Sequence, residues 1–491
     1  MKSKKLYIII AIIILAVTIF LLQFDFDSKE KRVNQHLDPR WQSSSVDTNS
    51  TVQNYLPVIK IDTLGQRIPG TPIIKDGISI GNEKTADGLT SIIGSIEVIN
   101  TQKNKSNEDK KLIIKSSAEM NYRGNSSRYF EKKSYSIDLV LNDGSENKQE
   151  LIGMSAHDSW ILNGPFLDRT LMRNYLALNI SGEIMEYAPN VRYCELFVDN
   201  EYQGLYLLME RISRGKERIN IEKPENNSSI TDYIVRLDRE SKTDILINDY
   251  SYYTYKLDAS AFDVSYPSLI ETTERRKRYI EDDLSKMEKS LYSYDSLDNK
   301  KGYSQYLDID AFAEFFIINE FFGNNDAGIY STYYYKTNKG KLKPVVWDFN
   351  NAFNNHFDFD TTQAGFTLIN QPIFDALIKD EKFIDTVVSK YRKLRKSSLN
   401  ESYLLNQIDE TELWLGESIN RNYTKWGYVF DLLNYKSSTY LTPIDRNATS
   451  YDDSIDKLKN YIIGRGDWMD KHIEVLYQYC QESKIKNELL K

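Results

Sequence analysis

Residues 321–359 read FFGNNDAGIYSTYYYKTNKGKLKPVVWDFNNAFNNHFDF and hold the residues best suited to chemistry. The order is an apolar helix, a polar loop reaching Asp326, two alternating segments around Asn338-Lys339-Gly340, then a second acidic loop at Asp348. A hairpin there returns Asp348 to the end of the sheet where Asp326 lies, so two carboxylates converge on one mouth. Phosphoryl transfer asks for this pair: one Asp accepts the proton of the attacking hydroxyl, and another holds the Mg²⁺ that bridges nucleotide phosphates. In protein kinases an Asn five residues past the catalytic Asp helps hold the metal. Here that slot is Ser331, a weaker oxygen ligand, which leaves Asn325 or Asn350 to compensate. The plainer alternative is that Asp326 caps a turn and Asp348 merely ends a strand.

A second constellation lies upstream, where Tyr122 is followed by Arg123, Gly124, Asn125, Ser126, Ser127 and Arg128, then by Lys132 and Lys133. A Gly/Ser turn between two strands presents backbone N–H groups, and with two arginines it makes a cradle for anionic phosphate. A lysine entering the next strand is what kinase-type sites use against the α- and β-phosphates. Read alone, the segment is an ordinary hairpin turn followed by a solvated strand start. No HExxH, GxSxG, P-loop or dinucleotide-binding glycine motif is present, and the four histidines lie in unrelated contexts. Elimination therefore favours a carboxylate mechanism.

The elements that must position these residues are legible as patterns. Short alternating runs over 56–100, separated by Gly, Pro and Asn, predict strands; residues 100–111 predict a charged loop; 112–122 and 133–141 predict two more strands. Leu171, Tyr175 and Leu178 predict a packed helix within 168–187, followed by a hairpin of strands over 191–198 and 205–209 that turns at Asp199, Asn200, Glu201 and Gly204. A buried strand is expected at 233–237, a charged helix at 275–294, a buried helix at 309–322, a hairpin over 330–346 and helices from 373 to 488. The fold class is α+β.

Residues 6–23 carry no charge, and as a helix they would span roughly 27 Å, close to a bilayer's hydrocarbon core. Lys2, Lys4 and Lys5 precede them, so the positive-inside rule places residues 1–5 in the cytoplasm and the rest outside. The run is longer than a usual signal-peptide core, and no small-residue cleavage pattern follows it, which favours an uncleaved anchor. Residues 24–51 read as a flexible polar tether, 52–480 as one large folded region and 481–491 as a tail. Two cysteines, Cys194 and Cys480, exclude a disulfide framework or a Cys-based zinc site. The net charge of −8 argues against general nucleic-acid binding. The 35 tyrosines do not by themselves indicate a sugar platform.

In order, RGNSSRYFEKKSYSIDL, DRTLMRNYLAL, VRYCELFVDNEYQGLYLLMER, NNDAGIYSTYYYK and PVVWDFNNAF resemble the spore-coat-protein-H (CotH) kinase family, over about residues 56–479. The C-terminal segments QPIFDALIKDEKF and RNYTKW are similar as well. The resemblance implies a diverged, atypical protein-kinase-like fold with a strand-rich first part and a helical second part. It implies a secretory-pathway kinase that uses ATP and Mg²⁺ or Mn²⁺ to phosphorylate serines, on coat proteins in spores. Carried over, Asp326 is the catalytic base, Asp348 the metal-binding Asp, and Lys132, ahead of Lys133, the phosphate-contacting lysine. Glu210 falls where a hinge residue would face adenine, or is a strand-end charge. Arg173 and Asn174 fall in a DxxxxRN stretch, and Glu183 or Glu186 are candidates for the lysine's acidic partner. Family members often carry a second Asp two residues after the metal-binding one, whereas this chain has Asn350, so the expected metal set is Asp348, Ser331 and Asn350. The expected partners are exported or surface proteins and, through residues 6–23, the membrane. The competing readings are a catalytically weak or inactive relative serving envelope assembly, and a two-carboxylate glycosidase.

Overall fold

Between residues 58 and 210 the first strands alternate a buried and a more exposed side chain, those over 159–163, 191–196 and 204–210 are buried on both faces, and in the structure, a computed structural model, these strands close on themselves. The structure describes residues 32–41, 56–76, 78–103, 109–239, 245–248, 260–356, 360–431 and 447–480. The barrel strands are β1 (Val58–Asp62), β2 (Ile92–Lys103), β3 (Asp109–Tyr122), β4 (Tyr135–Val140), β5 (Ser159–Asn163), β6 (Val191–Val198) and β7 (Glu201–Glu210). Around the barrel the order is β1, β6, β7, β5, β4, β3, β2 and back to β1. Only β1 and β6 are parallel, with Val58 opposite Glu195; the other neighbours are antiparallel. Ile59, Ile96, Met120, Ile137, Trp160, Cys194 and Leu208 fill the interior. Both cysteines are free thiols.

The β6–β7 hairpin turns at Asp199 and Asn200, whose φ of 50° and 64° match the twist of a two-residue hairpin. Gly204 is required by close approach: a Cβ there would lie 2.6 Å from Asn422 Oδ1 and 2.9 Å from Trp426 Nε1. A C-terminal helix thus seats directly on the barrel backbone.

Beyond the barrel, β8 (Tyr233–Asp238), β9 (Ala261–Tyr266), β10 (Thr332–Lys336) and β11 (Lys343–Val345) form a second sheet in the order β9, β8, β10, β11. The helices are α1 (Arg173–Ile184), α2 (Glu274–Tyr292), α3 (Ile309–Phe322), α4 (Glu381–Leu394), α5 (Glu401–Leu415), α6 (Glu417–Trp426) and α7 (Tyr451–His472). Helix α3 is apolar nearly all round because it packs against α4, α7 and β11 at once. It stops at Gly323, whose φ of 62° closes the helix by donating to Asn319 and Glu320 carbonyls.

The α+β class with a strand-rich first part and a helical second part is what the chain forms. Two local expectations fail. Of the charged loop expected over 100–111, residues 100–103 and 109–111 are strand, with β2 and β3 still paired at Lys103 opposite Asp109, because a ladder needs backbone partners and not apolar side chains; residues 104–108 lie outside the described residues. The tether is not free between residues 34 and 41. Gln35 uses its amide like a strand residue, accepting from Tyr193 N at 2.6 Å and donating to Tyr193 O at 3.3 Å. His36 Nδ1 meets Tyr175 OH at 2.9 Å, Asn34 donates to Gln407 at 2.8 Å, and Trp41 is 2% exposed. This strap shows no periodicity because each polar side chain is matched to one partner across the fold. Residues 6–23 lie outside the described residues. Among the described residues no helix is long and apolar enough to cross a membrane.

Candidate functional site

Asp326 and Asp348 open onto one cleft of about 570 Å³. Helix α3 delivers the first loop, and its end is tied to the second: Asn324 donates to Asn319 Oδ1 at 3.0 Å and to Trp347 O at 3.4 Å, and Phe353 N donates to Phe322 O at 2.7 Å. The β10–β11 hairpin then returns the chain to Asp348, as its pattern predicted. Asp348 stands at φ 53° and Ser331 at φ 50°, left-handed conformations that cost about 1–3 kcal/mol each and that gather at working sites.

The second loop is held from behind by α1. Asn174 accepts from Phe349 N at 2.7 Å and donates to Asn350 Oδ1 at 2.8 Å, and Asn350 in turn donates to Asp348 Oδ1 at 2.7 Å. Arg173 donates to Ala352 O at 3.2 Å and is fixed by a buried ion pair with Asp168. The DxxxxRN stretch therefore pairs internally, as a helix start would, and also aims the acidic loop. Burial raises the pKa of Asp348, the negative charge of Asp326 raises it further, and Asn350 and Arg123 oppose this. Asn351 donates to Asp326 Oδ2 at 3.2 Å.

The turn after β3 forms the facing wall. Arg123, Gly124, Asn125, Ser126, Ser127 and Arg128 all line the cleft. Ser127 Oγ donates to Arg123 O at 3.2 Å, and Arg123 N donates to Ser134 O at 2.9 Å. The Arg123 guanidinium lies 5.7 Å from the Trp347 ring centroid, and burial lowers its pKa.

Three expected residues are elsewhere. Lys132 is 1% exposed, with Nζ donating to Leu205 O at 2.8 Å and Asn422 Oδ1 at 2.7 Å, so it joins the barrel to α6. Lys132 and Lys133 lie in the irregular run ahead of β4, and their ammonium groups go to different partners. Lys133 donates to Arg128 O at 2.6 Å and braces the turn from outside the cleft. Glu210 is fully buried and accepts from Asn190 N at 2.9 Å, so its carboxylate serves a turn and does not line the cleft. Neither candidate acid pairs with a lysine of the turn: Glu183 accepts from Tyr403, and Glu186 pairs with Lys343. Asn325 is occupied by Thr361.

Conversely, the cleft includes Arg236, Asp238, Arg239, Tyr333, Trp347 and Asn351, which sequence reading did not assign. The signal for Arg236, Asp238 and Arg239 was the charged run RLDRE closing a buried strand, legible only once that strand is known to pair with β10.

The donor set suits a hard cation held jointly with phosphate. Asp326 and Asp348 are close enough for one charge to shift the other, Ser331, Asn350 and Asn351 line the same cleft as oxygen donors and amides, and Arg123 is near enough to act on Asp348. Among the described residues no cluster of three His, Cys, Asp or Glu side chains forms a self-sufficient metal cage. Asn350 is committed on both sides, to Asn174 and to Asp348, so it orients the carboxylate and is not itself a free ligand.

A family profile described as "CotH kinase protein" matches residues 120–469, which span both acidic loops, the arginine turn and α1. The chain belongs to the CotH kinase protein family. Among curated proteins it is similar to the inner spore coat protein H of Bacillus subtilis (strain 168), 21% identical over 367 residues that cover 72% of this chain and 87% of that protein. The CotH match begins just before the turn that carries Arg123, so the part of the barrel from Val58 through most of β3 lies upstream of it.

Proposed function

We propose that this CotH-family chain is an atypical protein kinase, transferring the γ-phosphate of ATP to Ser or Thr hydroxyls of exported, surface or coat proteins. The observation that carries the reading is the convergence of Asp326, Asp348 and the arginine-bearing turn on a single cleft. In this reading Asp326, steadied by Asn351, accepts the proton of the acceptor hydroxyl as the oxygen attacks the γ-phosphorus and the bond to the leaving ADP oxygen breaks. Asp348, with Ser331 in the same cleft, would hold Mg²⁺ or Mn²⁺, which supplies charge neutralisation at the phosphates. Asn350 and Asn174 keep the Asp348 carboxylate aimed, and Arg123 contributes positive charge without a proton to lose. Residues 6–23 would anchor the enzyme at a membrane with the cleft outside the cytoplasm.

The test is phosphate transfer from labelled ATP with Mg²⁺ or Mn²⁺ to a Ser-rich acceptor. Wild type should label the acceptor, and Asp326→Asn and Asp348→Asn should not. Equal labelling by all three would overturn the assignment. Thermal stabilisation by ATP and metal without turnover would support instead a nucleotide-binding assembly protein, a reading favoured by Asn350 standing where a second Asp is common.

A further inference from the structure

The cleft's electrostatics are unusual for this chain. Four guanidiniums, from Arg123, Arg128, Arg236 and Arg239, face three carboxylates, from Asp238, Asp326 and Asp348, a net positive site in a protein of net charge −8. Arg236 is committed to Asp263 at 2.9 Å. Arg123 and Arg239 are different. Among the described residues neither forms an ion pair, and neither guanidinium is hydrogen-bonded. Arg123 is half-buried, and because a guanidinium does not shed its proton, one without an anion there is an incomplete arrangement; Arg239 is exposed and open to a ligand.

Each of these two arginines is fixed by an aromatic ring. Arg239 lies 3.5 Å from the Tyr330 ring centroid, four residues beyond Asp326. Arg123 sits over Trp347, next to Asp348. Tyr333 stands beside Arg123 and the base of the Arg239 segment: its register places it opposite Arg236, its ring meets Trp347 at 6.2 Å, and its phenol feels the charge of both Arg236 and Arg123. Stacking removes rotamer freedom before any ligand arrives, which lowers the entropic cost of binding. Lys132 and Lys133 point their ammonium groups elsewhere, so no turn lysine is left to meet phosphate.

We propose that Arg123, Tyr333 and Arg239 form a clamp for the phosphate chain of a nucleoside triphosphate, with the second sheet supplying the part a strand lysine plays in protein kinases. The clamp rests on the phosphotransfer reading for its purpose, and its chemistry is tested separately. Two side chains come from β10 and the end of β8, one from the barrel turn, so the phosphates are gripped from both sheets.

Inorganic tripolyphosphate, which carries no base, sugar or acceptor, is the probe, with binding to the full chain measured by calorimetry in the presence of a chelator. Loss of one charge-assisted contact should weaken binding about 10- to 100-fold, so Arg123→Gln and Arg239→Ala should fall in that range, Tyr333→Phe by several-fold, and Lys132→Met should match wild type. Arg239 is exposed, so Arg239→Ala decides the matter where Arg123→Gln does not fold. Tripolyphosphate binding that ignores Arg239→Ala and Tyr333→Phe, or no binding by wild type, overturns the clamp. Binding through these residues with no phosphate transfer to any acceptor would leave the clamp standing and remove the kinase reading. Transfer with an unchanged KM for ATP in both variants would do the reverse.

Discussion

Replacing Lys132 by Met separates a catalytic lysine from a structural one. Its Nζ has two oxygen partners and no carboxylate in contact, and burial lowers its pKa from 10.5 to about 7, against the opposing pull of Glu195 and Asp168. The unfolded chain keeps the lysine near its ordinary value, so between pH 7 and pH 10 the unfolded state binds more protons and stability rises with pH. The penalty is on the order of 4 kcal/mol at pH 7 and falls below about 1 kcal/mol at pH 10. Lys132→Met removes that penalty together with two hydrogen bonds worth about 1 kcal/mol each, and leaves Leu205 O without its lysine donor. The variant should therefore be as stable as wild type, or up to about 2 kcal/mol more stable, at pH 7, and this advantage should shrink by about 3 kcal/mol by pH 10. Guanidinium chloride unfolding at the two pH values reads the difference, and labelled phosphate transfer at pH 7 should be retained. Parallel stability profiles would refute the burial argument. A folded variant without transfer would restore the kinase-lysine role that the geometry denies.

Asn174→Ala strands the Phe349 amide and releases Asn350, so it should cost about 2–3 kcal/mol in denaturant unfolding and lower phosphate transfer; an unchanged midpoint would mean that α1 does not hold the acidic loop. Asp348→Asn removes a buried charge repelled by Asp326 and should stabilise the fold by on the order of 1 kcal/mol while abolishing transfer; destabilisation in a thermal melt would contradict the like-charge reading. Trp41→Ala should cost about 3–5 kcal/mol, because the ring is buried against the barrel, whereas a tether residue would leave the melting temperature where it is.

Residue order alone determined the two acidic loops. An apolar run closed by Gly323, then alternation around Asn338-Lys339-Gly340, leaves few ways to build the region other than a helix, a loop and a hairpin that brings Asp348 back beside Asp326. The arginine turn was equally local, since its strands, its glycine and its serines are contiguous in the chain. Side-chain direction was not local. Whether Lys132 or Arg123 reaches the cleft depends on how the irregular run between β3 and β4 settles on the closed barrel, and that is set by partners up to 290 residues away, such as Asn422. Arg239 and Tyr333 joined the site only through the pairing of β8 with β10, a crossover between strands separated by two helices. The strap over residues 34–41 was invisible for a related reason: single polar matches to Tyr193, Tyr175 and Gln407 leave no periodic trace in the sequence, and only the assembled fold supplies the partners that make them worth burying.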